Sequence, residues 1–289
     1  IEIADLSPVE MSLAIQAAVQ PVLDARNMGE SAAWWSSLFR LVEQRTGIDM
    51  NRQTVPLDSV VGHTIGGLPV DGNGRCVVGT WSRWFTSLYA AGDAACTGLH
   101  GAASLPGNRL LDALESGANA GKHAAGWVAD RKFNTPDSIQ AAVDQATADL
   151  SAMMGDSDET HVVRCGTVMA SVHSALASTP TFSSASMSSL LNKLEAASHS
   201  AESLHLDQHS LIANTNLLEV LRTQASVRLL TASVQSGLAR EETRGSFVRE
   251  DFPEANKDFL HHVTVDHEGV TGTLAIKKGA GGHWVLAPQ

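Results

Sequence analysis

The pattern of apolar and polar positions is clearest in the centre of the chain. Leu88, Tyr89 and two alanines form a short apolar run that predicts a β-strand, and the run ends at Gly92, where a positive φ angle or a close backbone approach is expected. Residues 98–106 are mostly small, as is typical of a loop. From Asn108, a good helix N-cap, apolar residues recur with helical spacing. These positions are Leu110, Leu111, Leu114 and Ala118.

The chain before this centre predicts mostly helix. We predict a helix with a capping box at residues 7–19, a short strand at residues 22–25, and an amphipathic helix at residues 31–46 that ends at Gly47. The positions that this helix is expected to turn toward a core are Trp34, Trp35, Leu38, Phe39, Leu41 and Val42. The two tryptophans could instead line a pocket, but core packing is the favoured interpretation.

The chain after the centre predicts a helical bundle. Segments rich in Ala, Leu, Ser and Gln have helical periodicity at residues 138–150, 162–176, 184–198 and 217–240. Residues 261–286 then alternate apolar and polar side chains, which predicts a small hairpin-like β unit.

The loop and helix at the centre also suggest chemistry. A loop of small residues that leads into a helix presents free backbone N–H groups and the positive end of the helix dipole. This arrangement suits a phosphate or an anionic ring, so a cofactor is the expected neighbour of Gly92 and Asp93. An ordinary strand-to-helix turn without a ligand is the alternative.

Composition and charge narrow the classes of function. The 289 residues are 43% hydrophobic, which is enough for one large or two modest globular domains. The net charge of −11 is spread along the chain without a basic block, which argues against a nucleic-acid-binding surface. No apolar run approaches the roughly 18 residues that span a bilayer. The three cysteines have no ligand spacing, and neither do the histidines of the helical region, so we predict neither a metal site nor a disulfide framework. These histidines are His161, His173, His199, His205 and His209.

The central stretch contains LYAAGD followed by GLHGAASLPGNRLLD. It resembles the second flavin-binding segment of the succinate dehydrogenase and fumarate reductase flavoprotein subunits, which reads L-[FY]-A-A-G-E and then G-x-H-G-A-N-R-L-x-x-N-S-L; L-aspartate oxidase shares this pattern. Asp93 stands at the acidic position, and Asn108 and Leu110 stand at the later Asn and Leu. Other segments that resemble the family are LDARNMGE, GIDMNRQTVPLDSVVGHTIGGLPVD and AREETRGSFVREDFPE.

The resemblance implies a fold of the class α/β plus α. Residues 1–61 would be the end of a capping domain, residues 62–130 the C-terminal part of an FAD-binding domain, residues 131–252 a helical bundle domain, and residues 253–289 a C-terminal tail with a short β unit. The chain begins at Ile1 and has no G-x-G-x-x-G motif after a strand. We therefore expect a fragment equivalent to the C-terminal half of the family, inactive by itself.

The resemblance also implies a function. It implies FAD as the cofactor, hydride transfer between FAD and a C4-dicarboxylate, and electron transfer to an iron–sulfur subunit. Membrane anchor subunits would complete the complex, with this chain cytoplasmic and peripheral on the inner face of the membrane. Two alternatives stay open: a related flavoprotein oxidase such as L-aspartate oxidase, or a catalytically retired flavin-binding subunit. The candidate residues are Gly92, Asp93, Asn108, Arg109 and Leu110 for the cofactor, and His63, His100 and Arg109 for catalysis.

Two positions depart from the family pattern. Gly62 falls on the substrate-binding His of the family, which leaves the neighbouring His63 as a candidate donor. Ser104 falls on an Arg that the family uses to hold a substrate carboxylate, and a serine cannot form the bidentate fork of a guanidinium. Arg109, five positions later, is the basic residue that we predict as a substitute. Its alternative role is that of a helix-start arginine in contact with flavin or solvent.

Charged residues of both signs alternate after the last predicted helix. Arg240, Glu242, Arg244 and Arg249 could form an anion-binding site. Alternating charges at a helix end more often form ion pairs with one another, so an ion-pair network is the favoured interpretation.

Overall fold

A computed structural model of the chain mixes helix and strand, with helix predominating. The residues that it describes are 22–57, 64–99, 101, 104–105, 107–129, 131–132, 136–153, 163–206, 208, 210, 212–278 and 284–286. The chain divides into two compact units, one drawn from Ile1–Ile65 and Gly98–Asn108, the other from Gly66–Thr97 and Arg109–Gln289. The helix predicted at residues 7–19 lies outside the described residues.

The first unit contains the short strand and the helix that the sequence predicts near residue 40. Strand β1 (Val22–Leu23) pairs antiparallel with β2 (Val55–Pro56). A 3-10 turn at Gly29–Trp35 leads into helix α1 (Ser36–Thr46). Gly47 ends α1 with a φ of 74°, and its N–H donates to the carbonyl of Glu43, so the predicted glycine end is confirmed.

Part of the apolar face predicted around α1 is exposed. Phe39 is buried with Ala25 and Met50 in a small core. Trp34 is 90% exposed and Trp35 51% exposed, so the prediction that they pack in a core is wrong. Both lie in the 3-10 turn, where three residues make one turn, so positions spaced for one α-helical face no longer share a side. The other exposed positions of the predicted face are Leu38 and Leu41.

The second unit begins with two small pairs of strands. Strand β3 (Leu68–Pro69) pairs in parallel with β6 (Ala95–Cys96). Strand β4 (Arg75–Val78) pairs antiparallel with β5 (Thr80–Tyr89), with irregular register between them. β5 is therefore longer than the predicted strand, and it stops at Tyr89, just before the buried Ala90.

Helix α2 (Asn108–Ala129) packs on this part of the chain through small residues. A Cβ on Gly74 would lie 2.6 Å from the Cβ of Ala120, and one on Gly92 would lie 3.1 Å from the Cβ of Ala113. Because these side chains are small, the helix backbone approaches the loops closely. Ala120, the buried residue of α2 in the described part of the chain, lies in this contact.

The leucines of α2 lie on its exposed side. Leu110, Leu111 and Leu114, which recur with the predicted helical spacing, are 68%, 67% and 64% exposed, so they form an exposed apolar stripe. The stripe does have the apolar character of a helix face that packs against a partner. In the described part of the chain, however, Ala120 rather than a leucine is the buried residue of α2.

All four helices predicted after residue 130 are present, and the last three of them pack together as a bundle. The four helices are α3 (Pro136–Met153), α4 (Cys165–Ala177), α5 (Ser184–Glu202) and α6 (Thr215–Leu238). Leu194, Val220 and Val227 are fully buried in the core that α4, α5 and α6 share. The side chain of Asn214 accepts a hydrogen bond from the N–H of Leu217 and caps α6.

The C-terminal residues form a three-stranded antiparallel sheet with the order β7–β8–β9. The strands are β7 (His261–Val265), β8 (Thr271–Lys278) and β9 (Trp284–Leu286). The predicted β unit is confirmed, with one strand more than a hairpin. Val77 of β4 and Leu274 of β8 are buried together, so this sheet lies against the β4–β5 pair. Within the described residues, no helix is both long and apolar enough to cross a membrane.

A charged network joins the end of α6 to this sheet. Glu242 is fully buried and accepts hydrogen bonds from Arg240, from Arg244 at 2.8 and 2.7 Å, and from the N–H of Asn256 at 2.9 Å. Burial alone would raise the pKa of Glu242, but these hydrogen bonds together hold its pKa below the ordinary value. Arg240 also donates to the carbonyls of Phe259 and His261. The interpretation of these charges as an ion-pair network is confirmed.

A second ion pair ties the same region to the start of α5. Arg249 is 1% exposed and forms a bidentate pair with Asp251, at 2.8 and 2.7 Å. Asp251 in turn accepts from the N–H and the hydroxyl of Ser184, both at 2.7 Å. The hydrogen bonds from Arg249, and then those from Ser184, hold the pKa of Asp251 well below its ordinary value. These charges stabilise structure and offer no open anion site.

Candidate functional site

The candidate site is built where β5 ends and the chain turns toward β6. Gly92 has a φ of 59° and begins a 3-10 turn, Gly92–Ala94, as the sequence predicts. Gly67 has a φ of 141°, and a Cβ on it would lie 2.6 Å from the carbonyl oxygen of Ala94. Gly67 therefore permits close packing against Ala94, the residue after Asp93, and Gly92 permits the turn that precedes Asp93.

Asp93 and Arg109 form an ion pair between this turn and the start of α2. The Nε atom of Arg109 donates to Oδ1 of Asp93 at 3.1 Å, and its Nη2 atom donates to Oδ2, so the pair is bidentate. Both side chains are accessible, at 63% for Asp93 and 43% for Arg109. The hydrogen bond with Asp93 raises the pKa of Arg109 above its ordinary value. The largely exposed carboxylate is thus oriented by a cation.

Two other predicted cofactor residues lie beside Arg109 in the sequence. Helix α2 begins at Asn108 itself, so the residue predicted as the N-cap is the first helical residue, a difference of one position that is common at helix ends. Its N–H donates to the carbonyl of Leu105 at 3.1 Å. Leu110 follows on the first turn, with an exposed side chain. The structure thus places Asp93 against Arg109, with Leu110 in the same first turn of α2.

The remaining candidates add nothing to the described geometry of this arrangement. His63 and His100, predicted as hydrogen-bond donors to substrate, lie outside the described residues, as does Gly62. Ser104 is described and half-buried, and its N–H donates to the carbonyl of Gly101 at 3.4 Å. The described residues therefore give the geometry of the acidic position and its arginine.

Sequence reasoning missed one residue that supports the turn. The hydroxyl of Ser116 accepts a hydrogen bond from the N–H of Gly92 at 3.0 Å, although the two are 24 positions apart. Ser116 lies two helical turns after Arg109, with Ala113 between them, so all three can share one face of α2. The spacing of the small residues Ala113 and Ser116 could have indicated this face of the helix. The leucines of the same helix, however, form the more prominent pattern in the sequence.

The residues of the turn fit the flavin that the resemblance implies. An exposed carboxylate at the end of a strand is an acceptor for the hydroxyl groups of a sugar-like chain. The guanidinium beside it neutralises its charge, and the first turn of a long helix adds N–H groups and a positive dipole end. Asp93, Arg109 and Leu110 therefore supply a polar contact, a cation and an apolar surface at one place.

Two family profiles match the chain. The profile described as "FAD binding domain" matches residues 22–110, which include the turn and the start of α2. The profile described as "Fumarate reductase flavoprotein C-term" matches residues 181–279, which include α5, α6 and the ion-pair network. The order of the two matches is the order expected from the motifs.

Similar sequences carry names of the same kind. A fumarate reductase flavoprotein subunit of Mycobacterium tuberculosis is 28% identical over 268 residues, which cover 88% of this chain and 43% of that protein. A succinate dehydrogenase flavoprotein subunit of Rickettsia felis is 26% identical, over 77% of this chain and 38% of that protein. An L-aspartate oxidase of Agrobacterium fabrum is 37% identical, over 46% of this chain and 23% of that protein. The chain thus spans less than half the length of these relatives.

Solved structures share the fold. A quinol fumarate reductase from E. coli superposes with a TM-score of 0.73 at 20% identity, over 93% of this chain and 44% of that one. The strand-end turn with its acidic residue, the two profile matches and the shared fold agree with one another. Over most of its length the chain is therefore similar to FAD-binding oxidoreductase flavoproteins, among them the flavoprotein subunits of succinate dehydrogenase and fumarate reductase.

Proposed function

We propose that this chain is part of a flavoprotein subunit that transfers hydride between FAD and a C4-dicarboxylate and passes electrons to an iron–sulfur partner. The names of the relatives from Mycobacterium tuberculosis and Rickettsia felis support this reaction class. The chain would supply the C-terminal part of the FAD-binding domain (62–130), a helical domain (131–252) and a tail (253–289), after the end of a capping domain.

The observation that carries the proposal is the Asp93–Arg109 pair at the end of β5. The Asp93 carboxylate would accept hydrogen bonds from the hydroxyls of the flavin side chain, and Gly92 would let the backbone turn beneath it. When bound, FAD supplies the ring that accepts or donates hydride. Arg109 holds the Asp93 carboxylate in one orientation. The binding of FAD therefore loses less conformational entropy, because this side chain is already ordered.

Arg109 would also serve the substrate. A dicarboxylate must be fixed beside the flavin ring before hydride can move, and a guanidinium holds a carboxylate well. Asp93 occupies Nε and Nη2 of Arg109, whereas among the described residues Nη1 makes no hydrogen bond. Arg109 can therefore orient Asp93 and still offer N–H donors to a substrate carboxylate. His63 and His100 would add donors, a role that rests on the sequence alone.

Partners and location follow from the same proposal. Relatives with solved structures are quinol fumarate reductases, and we propose that this chain likewise works with an iron–sulfur subunit and membrane anchor subunits. It would then be cytoplasmic and peripheral on the inner face of the membrane.

A second function is favoured by Ser104, which stands where the family pattern has an arginine. A protein without that arginine could act on another substrate, such as aspartate, or could bind flavin without turnover. The matched L-aspartate oxidase supports the first of these alternatives.

The test is turnover by the holoprotein with succinate, fumarate and L-aspartate. We expect activity with succinate or fumarate, and Ser104→Arg should raise activity or tighten inhibition by malonate, because it restores a carboxylate fork. Turnover of aspartate alone would favour the oxidase, and bound flavin without any turnover would favour the retired subunit. Either outcome would contradict the dicarboxylate proposal.

A further inference from the structure

A cleft lies on the surface of the second unit, between the turn before β4 and the C-terminal half of α2. Its volume is about 530 Å³, within the range of about 300–1,000 Å³ that is usual for small-molecule sites. The residues that line it are Asn73, Asn119, Lys122, His123, Gly126 and Trp127. We call it the α2 cleft.

The α2 cleft is separate from the flavin turn. Asn119, its first residue on α2, is ten positions after Arg109, and a helix rises about 1.5 Å per residue, so about 15 Å of helix lies between them. A ligand of the cleft would therefore not touch Asp93.

The cleft offers donors suited to an anion. Lys122 is exposed, and in the described part of the chain no carboxylate lies within ion-pair distance of it. Nδ1 of His123 lies 2.9 Å from the hydroxyl of Tyr89. When that hydroxyl donates to Nδ1, the Nε2 atom of His123 carries the hydrogen and becomes a donor. Two side chains of the cleft can thus donate to the same negatively charged group.

The cleft also offers an aromatic ring and amides. Trp127 lines it, and the guanidinium of Arg131 lies 4.6 Å from the centre of the Trp127 ring. Arg131 brings a second positive charge to this surface, although the chain as a whole has a net charge of −11. Asn73 and Asn119 add amide groups, and Asn119 also donates to Glu115 at 3.1 Å. A ring with amides beside it suits a planar heterocycle.

We propose that the α2 cleft binds a planar aromatic ligand that carries a phosphate, of the chemical class of nucleoside monophosphates. Lys122 and His123 hold the phosphate, and Trp127 with the two asparagines contacts the ring. The site is independent of the proposed reaction at the flavin.

The experiment is calorimetric titration of the FAD-loaded protein with AMP, inorganic phosphate and adenosine. Loading with FAD keeps AMP from reporting the flavin site. We expect AMP to bind at least tenfold more tightly than phosphate or adenosine, because only AMP offers both the charge and the ring. Lys122→Met should weaken AMP binding at least tenfold, whereas Lys132→Met, a change of the same type at an exposed lysine outside the cleft, should not.

A steric variant tests the same site without removing a charge. Gly126→Leu would fill part of the cleft, and a Cβ there meets no atom within 4 Å, so the helix accepts it and gains from the better helix former. Gly121→Leu is the matched control, since Gly121 is exposed on the same helix and outside the cleft. We expect Gly126→Leu to abolish AMP binding and Gly121→Leu to preserve it. Absence of AMP binding at millimolar concentration, equal binding of phosphate, or AMP binding unchanged in both Lys122→Met and Gly126→Leu would overturn the proposal.

Discussion

Glu242→Gln should destabilise the second unit strongly, and the hydrogen bonds give the reason. One carboxylate oxygen of Glu242 accepts from Arg240 and from Nε of Arg244, and the other accepts from Nη2 of Arg244 and from the N–H of Asn256. A glutamine has one oxygen and one NH₂ group. Whichever way the amide is turned, two donors lose their acceptor and face another donor.

The magnitude follows from the loss of these bonds at a fully buried position. Each hydrogen bond to a charged group contributes about 1.5–3 kcal/mol, and removal of one partner of a buried ion pair costs about 3–5 kcal/mol. We therefore expect a loss of about 3–5 kcal/mol in the free energy of unfolding, which corresponds to a decrease in Tm of about 10 °C for a protein of this size.

Thermal and urea unfolding, followed by circular dichroism, measure this loss. Glu241→Gln is the matched control, because Glu241 is the exposed neighbour and should change the free energy of unfolding by less than about 0.5 kcal/mol. If Glu242→Gln were no more destabilising than Glu241→Gln, the network would not stabilise the junction between α6 and the C-terminal sheet.

Three further predictions concern the other charged and apolar features. Arg109→Ala in the holoprotein should lower kcat/KM for succinate or fumarate by about 10²-fold, since alignment beside the ring is lost; unchanged kinetics would exclude the proposed role. Folding lowers the pKa values of Glu242 and Asp251, so both carboxylates stabilise the folded state fully above about pH 4.5. This stabilisation is lost as the pH falls toward the pKa values of the folded state. If the urea concentration at the midpoint of unfolding did not change from pH 7 to pH 3, the prediction would be wrong. The double substitution Leu110→Gln and Leu114→Gln should reduce self-association measured by light scattering, because the exposed leucines of α2 form an apolar patch. If the unmodified protein were monodisperse, the patch would not cause self-association.

The sequence predicted most elements of the fold correctly because their signals are local. The four bundle helices, the glycine at the end of α1 and the C-terminal β unit follow from periodicity and turn residues. The ion pairs of Glu242 were also accessible, since the charges that form them lie within a few positions of one another.

The site was less predictable because its contacts are not local. Asp93 and Arg109 are 16 positions apart, and nothing in the spacing shows that a carboxylate and a guanidinium at a strand end and a helix start will pair. The leucine pattern of α2 does not show which side of the helix packs on the turn, and the reason is physical. A leucine stripe indicates a strong tendency to be buried, but close packing against a turn of glycines requires small side chains such as Ala113.

The most direct test of the central claim is the FAD affinity of the holoprotein with Asp93→Ala. A charge-assisted hydrogen bond contributes about 1.5–3 kcal/mol, so the dissociation constant of FAD should rise by about one to two orders of magnitude. Asp112→Ala is the matched control, since Asp112 is also acidic, lies near the start of α2 and is half-buried. The account predicts weaker FAD binding in Asp93→Ala and unchanged binding in Asp112→Ala, as measured by equilibrium dialysis. Unchanged FAD binding in Asp93→Ala would contradict the claim that the turn after β5 holds the flavin.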